Sequence, residues 1–245
     1  MLGNKFFKGK TLAILSGGGD TPAINSSIES VRSRATVLGY KVYGIRNGWK
    51  GLLGDGDIID LTFQPFNAYY GGTALKSSRT NPFSSSNNNE DRVSQVMKNL
   101  KRYKIDVLVT IGGDDTNGAA KRLYEQEGIP VIGFPKTIDN DLASTDITFG
   151  FNTAIGVATE ALDRLHTTAE SHHRIMVCEV MGRNAGYIAL WCGIANGAED
   201  ILLPEKYDYD EQKIIENIIE NRRKGKKHHI IINAEGIGHS SSMAR

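Results

Sequence analysis

The stretch DVLVTIGGDDTNGAA, residues 106–120, decides how the rest of this chain reads. An apolar run, Asp106–Ile111, leads into two glycines, Gly112 and Gly113. Two adjacent aspartates, Asp114 and Asp115, follow, and a small-residue helix starts after them. A short apolar run bounded by glycine is the pattern of a strand buried on both faces of a parallel sheet. Glycine bares the backbone so that another group can come close. Carboxylates repel phosphate oxygens, so a phosphate site would hold two of them at a strand end only with a metal ion in between.

The same punctuation recurs along the chain. Thr11–Leu15, Lys41–Ile45, Asp106–Ile111, Pro130–Gly133, Arg174–Val180 and His229–Asn233 read as buried parallel strands. Helical stretches are expected between them, at Pro22–Leu38, Asp91–Tyr103, Asn117–Glu127, Asn152–Glu170, Asn184–Ile194 and Asp210–Lys224. Alternating β and α segments predict an α/β fold: a doubly wound, largely parallel sheet with helices on both faces. A first lobe over residues 1–150 and a second, partial lobe over 151–245 are expected, although composition does not shift sharply between them. Residues 81–89, NPFSSSNNN, read as a polar, flexible loop.

Bulk properties narrow the function. With 245 residues, 40% of them hydrophobic, the chain can build a sizeable core. A net charge of +1 carries no bias towards nucleic acid or membranes. The basic run Arg222–His229 reads as a solvated helix end. No transmembrane run and no signal-peptide h-region are visible. Two cysteines, Cys178 and Cys192, sit in apolar segments without metal-type spacing, which suggests buried thiols, a reducing compartment and a cytoplasmic location. The ending, IIINAEGIGHSSSMAR, has a strand and a glycine turn but no closing helix, as in a chain cut short.

Ligands of doubly wound sheets bind beyond the carboxyl ends of the strands. After the first strand comes Ser16-Gly17-Gly18-Gly19-Asp20-Thr21-Pro22, an anion cradle at a helix start or simply a tight βα turn. It fits neither the dinucleotide fingerprint nor the P-loop. Gly71–Arg79, GGTALKSSR, suits phosphate oxygens or an ordinary polar loop. GGDD and the later Pro135-Lys136-Thr137-Ile138-Asp139-Asn140-Asp141 follow separate strands, so their carboxylates are expected to reach one crevice. Three or four of them there would repel strongly unless Mg²⁺ intervened. One aspartate could then hold the metal while another takes a proton from an attacking hydroxyl, the division of labour of phosphoryl transfer. His172-His173-Arg174 and Met181-Gly182-Arg183 each put an arginine near a strand end, suited to a phosphorylated substrate. The paired histidines have no third ligand spaced for zinc. Glu235 is a sugar-hydroxyl acceptor or a plain loop acid.

Taken together, SGGGDTPAIN, GGTALKSSR, TIGGDDT, PKTIDNDL, HHRI, MGRNAGYIAL and NAEG resemble the phosphofructokinase family, in its order and spacing, from about residue 10 to 238. The resemblance implies phosphoryl transfer to the 1-hydroxyl of fructose 6-phosphate. It implies Asp139 as the base, Asp114 at Mg²⁺, and Thr137 and Asp141 positioning the sugar and the transferred group. Gly18 and Arg79 would line the donor side. Met181, Gly182, Arg183 and Glu235 would bind the sugar phosphate. Arg174 would reach a neighbouring subunit's substrate site, as in bacterial dimers and tetramers similar to this chain, so a homodimer or homotetramer is expected.

The family resemblance also bears on the donor. ATP-using members read GGDG where this chain reads GGDD, and a carboxylate at Asp115 fills the space that the α-phosphate approaches. At an effective dielectric near 20, two unit charges about 4 Å apart cost on the order of 4 kcal/mol, roughly a thousandfold in affinity. Lys136 supplies a cation for a phosphate oxygen. The pair Asp115 and Lys136 is similar to that of pyrophosphate-dependent members, which implies pyrophosphate as donor and a near-reversible step. An ATP-dependent kinase that shifts its nucleotide is the alternative, a non-catalytic regulatory subunit another, and an NAD-kinase-like enzyme leaves PKTIDND and MGR without a role. A motif of the H-I-Q-R-G type, which the family carries after AEG, is absent. The resemblance therefore implies that part of the sugar-phosphate pocket lies outside the chain, and that these residues alone would turn over slowly if at all.

Overall fold

A computed structural model describes residues 9–64, 67–84, 91–206 and 210–237. The expected flexible loop at 81–89 and the abrupt ending fall partly outside these residues. The chain forms two compact units: Met1–Thr137 with Leu142–Thr145, and Ile138–Asp141 with Asp146–Arg245. The contacts thus divide at Thr137/Ile138 rather than at residue 150. Strand pairing ties the chain to the first sheet as far as Pro135, and Ile138 already packs in the core of the second unit. No described helix is long and apolar enough to cross a membrane.

The first unit contains β1 (Thr11–Ser16), α1 (Ala23–Val37), β2 (Lys41–Ile45), a 3-10 turn (Gly48–Leu52), β3 (Ile58–Asp60), α2 (Arg92–Arg102), β4 (Val107–Gly112), α3 (Asp114–Glu127) and β5 (Val131–Thr137). Its strands lie in the order β3-β2-β1-β4-β5. β1 pairs in parallel with β2 and β4, β4 in parallel with β5, and only β3 runs antiparallel. From β1 the chain winds first to β2 on one side and later to β4 on the other. The carboxyl ends of β1 and β4 therefore flank a topological switch point, where such sheets bind ligands.

The side-chain period of two sorts β1 into two cores. Ala13 and Leu15 pack with Trp49, Val96, Leu100 and Leu123 beneath α2 and α3. Leu12 and Ile14 pack with Ile24 and Ile28 beneath α1, whose apolar stripe recurs at helical spacing. Fully burying one such side chain contributes about 1.5–3 kcal/mol, so burial on both faces keeps the switch point rigid.

The second unit contains β6 (Phe149–Gly150), α4 (Phe151–Ser171), β7 (Ile175–Val180), α5 (Tyr187–Asn196), β8 (Asp200–Leu202), α6 (Glu211–Arg223) and β9 (His229–Ala234). Three parallel strands lie in the order β7-β9-β8. Phe151, Leu162, Ile188, Cys192, Ile230 and Ile232 form the core between the sheet and the helices α4 and α5. On the opposite face His229 lies buried, its Nε2 2.6 Å from Asp200 Oδ2. The short strands β3, β6 and β8 and the 3-10 turn were not expected: two or three residues carry too little periodicity to announce a strand.

Candidate active site

Four segments of the first unit meet at the switch point. Gly17 N–H donates to the Ile111 carbonyl (3.0 Å) and Gly18 N–H to that of Ser78 (3.3 Å), so the first glycine loop is laced to β4 and to the 71–79 segment. Ser77 Oγ donates to the Gly18 carbonyl at 2.5 Å. Ser16 Oγ lies 2.8 Å from Thr73 Oγ1 and donates to the Lys76 carbonyl at 2.9 Å. Gly18 takes φ +77°, a region that glycine enters without strain. A Cβ on Gly17 or on Gly112 would land inside the Thr116 side chain. Thr116 thus fills the gap between the two glycine turns and forces both positions to stay bare.

Lys136 crosses this loop. It is 3% exposed, and its Nζ donates to the Gly19 carbonyl at 2.5 Å, 117 residues away in sequence. A Cβ on Gly18 would lie 3.4 Å from the same Nζ. A Cβ on Gly113 would touch the Lys136 carbonyl and Thr137 Cβ, each at 3.7 Å. Gly18, Gly19, Gly113, Lys136 and Thr137 therefore stand together, as the strand-end reading requires. The buried Thr21 hydroxyl, on the same loop, has no hydrogen-bond partner among the described residues. Bare backbone and a buried ammonium suit anionic oxygens.

The aspartates of GGDD sit differently from expectation. The helix was expected from Asn117, but α3 begins at Asp114, so Asp114 and Asp115 form its exposed first turn. Negative side chains there are favoured by the amide groups of the helix start, a structural reason for both residues beside any chemical one. Asn117 anchors this helix start. It accepts from Thr110 Oγ1 (2.8 Å) and donates to the carbonyls of Gly112 (2.7 Å) and Phe134 (3.1 Å), bracing the ends of β4 and β5. Trp49 Nε1 donates to the Thr116 carbonyl at 3.3 Å. Asn117, Thr116 and Trp49 were not singled out from the sequence, because their partners are distant in the chain. Arg79 is exposed.

Among the described residues no three His, Cys, Asp or Glu side chains gather as a metal-binding cluster, and the expected carboxylates belong to different units, Asp114 and Asp115 to the first and Asp139 and Asp141 to the second. Mg²⁺ asks for less, since it is commonly held by one or two carboxylates together with substrate phosphates and water. The exposed Asp114 carboxylate beside an anion cradle fits that donor set.

In the second unit Asp139 is half-buried and Asp141 exposed. Asn140, between them, takes φ +53° and accepts from Thr148 N–H at 2.9 Å, which fixes the turn carrying both aspartates. After β7 the loop Met181–Gly186 is clamped by Glu235 at the end of β9. One oxygen of Glu235 accepts from Gly182 N–H (3.0 Å) and Arg183 N–H (2.6 Å). Gly182 sits at φ +147° and Arg183 at +52°. These left-handed residues hold the chain out of helix until Tyr187, three residues later than expected. Glu205, missed in the sequence, accepts from Gly186 N–H at 2.7 Å. Gly182, Arg183 and Glu235 therefore form one group, with Met181 62% exposed beside it. Arg174 is not part of it. It precedes β7 while Met181 follows it, about 20 Å along the strand. Burial pushes both cysteine thiols up, so neither is poised as a nucleophile.

A parallel sheet with bare glycine turns and a buried lysine at its switch point defines an α/β protein whose strand ends suit anionic oxygens. A family model for phosphofructokinase matches residues 11–245, and the chain belongs to the phosphofructokinase family. It is 46% identical over 228 residues to a pyrophosphate–fructose 6-phosphate 1-phosphotransferase of Streptomyces coelicolor, covering 92% of this chain and 65% of that protein. It is 51% identical over 239 residues to an ATP-dependent 6-phosphofructokinase 2 of Clostridium perfringens, covering 93% of this chain and 64% of that one. A crystal structure of a pyrophosphate-dependent phosphofructokinase from Marinobacter aquaeolei superposes with a TM-score of 0.76 at 27% identity, over 93% of this chain and 60% of that one. The chain thus spans a little under two thirds of the length of these relatives.

Proposed function

We propose that this protein transfers a phosphoryl group from pyrophosphate to the 1-hydroxyl of fructose 6-phosphate, giving fructose 1,6-bisphosphate and phosphate. The observation that carries the donor reading is the Lys136 ammonium, buried against the Gly18–Gly19 loop, together with the Asp115 carboxylate in the first turn of α3. The ammonium offers a phosphate oxygen a positive partner. Asp115 puts a negative charge where a nucleotide's further phosphate would approach.

In this reading the first unit holds the donor through Gly18, Arg79 and Lys136, and Asp114 holds Mg²⁺, which supplies charge neutralisation for the transferred group. Asp139 takes the proton from the 1-hydroxyl as that oxygen bonds to phosphorus. The bridging P–O bond of pyrophosphate breaks and phosphate leaves. Thr137 and Asp141 position the reacting groups. Met181, Gly182 and Arg183, held by Glu235, bind the sugar phosphate. Arg174, exposed and away from its own unit's loop, serves the substrate site of a neighbouring subunit in a dimer or tetramer, and the enzyme works in the cytoplasm.

The ATP-dependent reading stays open because several relatives are named for ATP, at 51% and 44% identity among them. Fructose 1,6-bisphosphate formation with Mg²⁺ and either donor separates the two. Activity with pyrophosphate alone supports the proposal, and Asp115→Gly should then admit ATP. Activity with ATP alone, or an Asp115→Gly variant with unchanged donor preference, overturns it.

A further inference from the structure

The side-chain amide of Asn117 joins the two strands that end at the cradle. Its Oδ1 accepts from the buried Thr110 hydroxyl at 2.8 Å. Its Nδ2 donates to the Gly112 carbonyl (2.7 Å) on β4 and to the Phe134 carbonyl (3.1 Å) on β5. One acceptor and two donors on a single short side chain is what an asparagine amide offers; an ionised carboxylate only accepts, and a hydroxyl has one donor. A Cβ on Gly133 would lie 3.0 Å from Asn117 Oδ1 and 3.2 Å from its Cγ, so that bare position on β5 leaves room for the amide. The two carbonyls stand at the end of the ladder. Register matches Ile111 with Phe134 and Gly112 with Pro135, and β5 then runs on to Lys136 and Thr137. Residues two apart on a strand share a face. Phe134 packs into the core under α1. Lys136, on the same side, reaches the loop that leads into α1 and donates to the Gly19 carbonyl at 2.5 Å.

We propose that Asn117 is a positioning residue for the phosphate donor: by holding the Gly112 and Phe134 carbonyls together, its amide sets where the Lys136 ammonium stands against the Gly18–Gly19 loop. The inference rests on the reading that this cradle binds the donor's phosphate. An ammonium is a point charge on a flexible four-carbon stem, and its attraction for a phosphate oxygen falls as the separation grows. Such a group needs its backbone fixed from outside. Asn117 does this from α3, two residues ahead of Lys136 on β5. The same amide holds the Gly112 carbonyl just ahead of Asp114, so it relates the metal-side carboxylate to the ammonium. A purely architectural amide would steady α3 alone, but here one bond goes to the strand that carries the lysine.

Two measurements on the 245-residue chain test this. The first is acetylation of lysines by acetic anhydride, read site by site by mass spectrometry. Lys136 should react slowly in the unaltered chain and about tenfold faster in Asn117→Ala, as local opening bares its amine, while exposed Lys121 on the same helix keeps its rate. Asn117→Ser, which retains one donor, should fall between and serves if Asn117→Ala does not fold. Ala120→Gly, which weakens α3 without touching the amide, should leave Lys136 slow. An unchanged Lys136 rate in the Asn117 variants, or equal acceleration by Ala120→Gly, overturns the inference. The second is calorimetric binding of pyrophosphate with Mg²⁺. Asn117→Ala should weaken it about tenfold, and should weaken it no further once Lys136→Met has removed the ammonium. Additive losses overturn the inference while leaving the donor reading intact. Binding of ATP with Mg²⁺ in place of pyrophosphate overturns the donor reading alone, and the same pair of variants then judges Asn117 with ATP. Binding of neither overturns both.

Discussion

In the first unit, β1 is buried at every position and β4 at all but its first. In the second, β9 is buried at every position, but its neighbour β7 alternates between exposed and half-buried residues. Val177 on β7 is 66% exposed, Trp191 and Ile194 on α5 54% and 63%, and α6 buries no residue at all. Each large apolar side chain left in water forgoes about 1.5–3 kcal/mol. The first unit therefore holds its switch point between buried strands, whereas β7 and α6 of the second unit leave much of their length exposed. The difference predicts that the cradle stays rigid on its own and that the Met181–Gly186 loop depends on further packing.

The sharpest way to break this division is chemical. Asp139→Asn should lower turnover by about 10²–10⁴-fold with the melting temperature unchanged, as read by product formation and thermal unfolding. Turnover that survives would remove the base from the second unit.

A pair of glycine variants probes the units separately. In Gly112→Ala the new methyl meets Thr116, and overpacking of this kind costs about 1–3 kcal/mol. In Gly182→Ala the methyl meets the Ala185 carbonyl at a positive φ, adding strain of about 1–2 kcal/mol. Hydrogen exchange should show protection lost in the first unit only for Gly112→Ala and in the second only for Gly182→Ala. Loss across both units from either variant would contradict their independence.

The Glu199 carboxylate gives a smaller, pH-dependent effect. Burial pushes its pKa up, but the hydrogen bond from Lys226 and that from Ile230 N–H outweigh burial and hold it below the usual glutamate range. A depressed folded pKa stabilises above the unfolded value, near pH 4.3, and that stability is lost as pH falls through the folded value. Lys226 is 39% exposed, so solvent screening limits the contribution to about 1 kcal/mol. Glu199→Gln should destabilise the second unit at pH 7 and lose that effect near pH 3 in thermal unfolding. An undiminished effect at pH 3 would show that packing, not charge, was removed. The smallest effect belongs to Arg164 and Glu160, a surface pair on α4. Arg164→Ala should cost no more than about 0.5 kcal/mol.

The main strands and helices were legible because each is a local pattern: β2 falls at Lys41–Ile45 as read, and α2 and α6 within a residue of their expected ends. Strand-end glycines were legible for the same reason, and Gly18, Gly112 and Gly113 stand where strand ends place them. The start of α3 was misread because Gly112-Gly113 looks like a loop that continues, while the helix begins directly after it. The start of α5 was misread because nothing in Arg183-Asn184-Ala185 announces a left-handed turn. Glu205, Asn117 and Thr116 stayed invisible because they act only through what they touch.

By itself the sequence determined the alternation of strand and helix, the glycines at the strand ends and the family to which those motifs belong. Periodicity and backbone freedom are properties of neighbouring residues, and they can be read without coordinates. Tertiary structure alone decided that the Lys136 ammonium reaches the Gly19 carbonyl across 117 residues, and that Glu235 clamps a loop 52 and 53 residues away. Those outcomes depend on which distant groups satisfy each buried charge and each apolar surface. Many sequence positions could offer a suitable partner, and only the packed chain selects one.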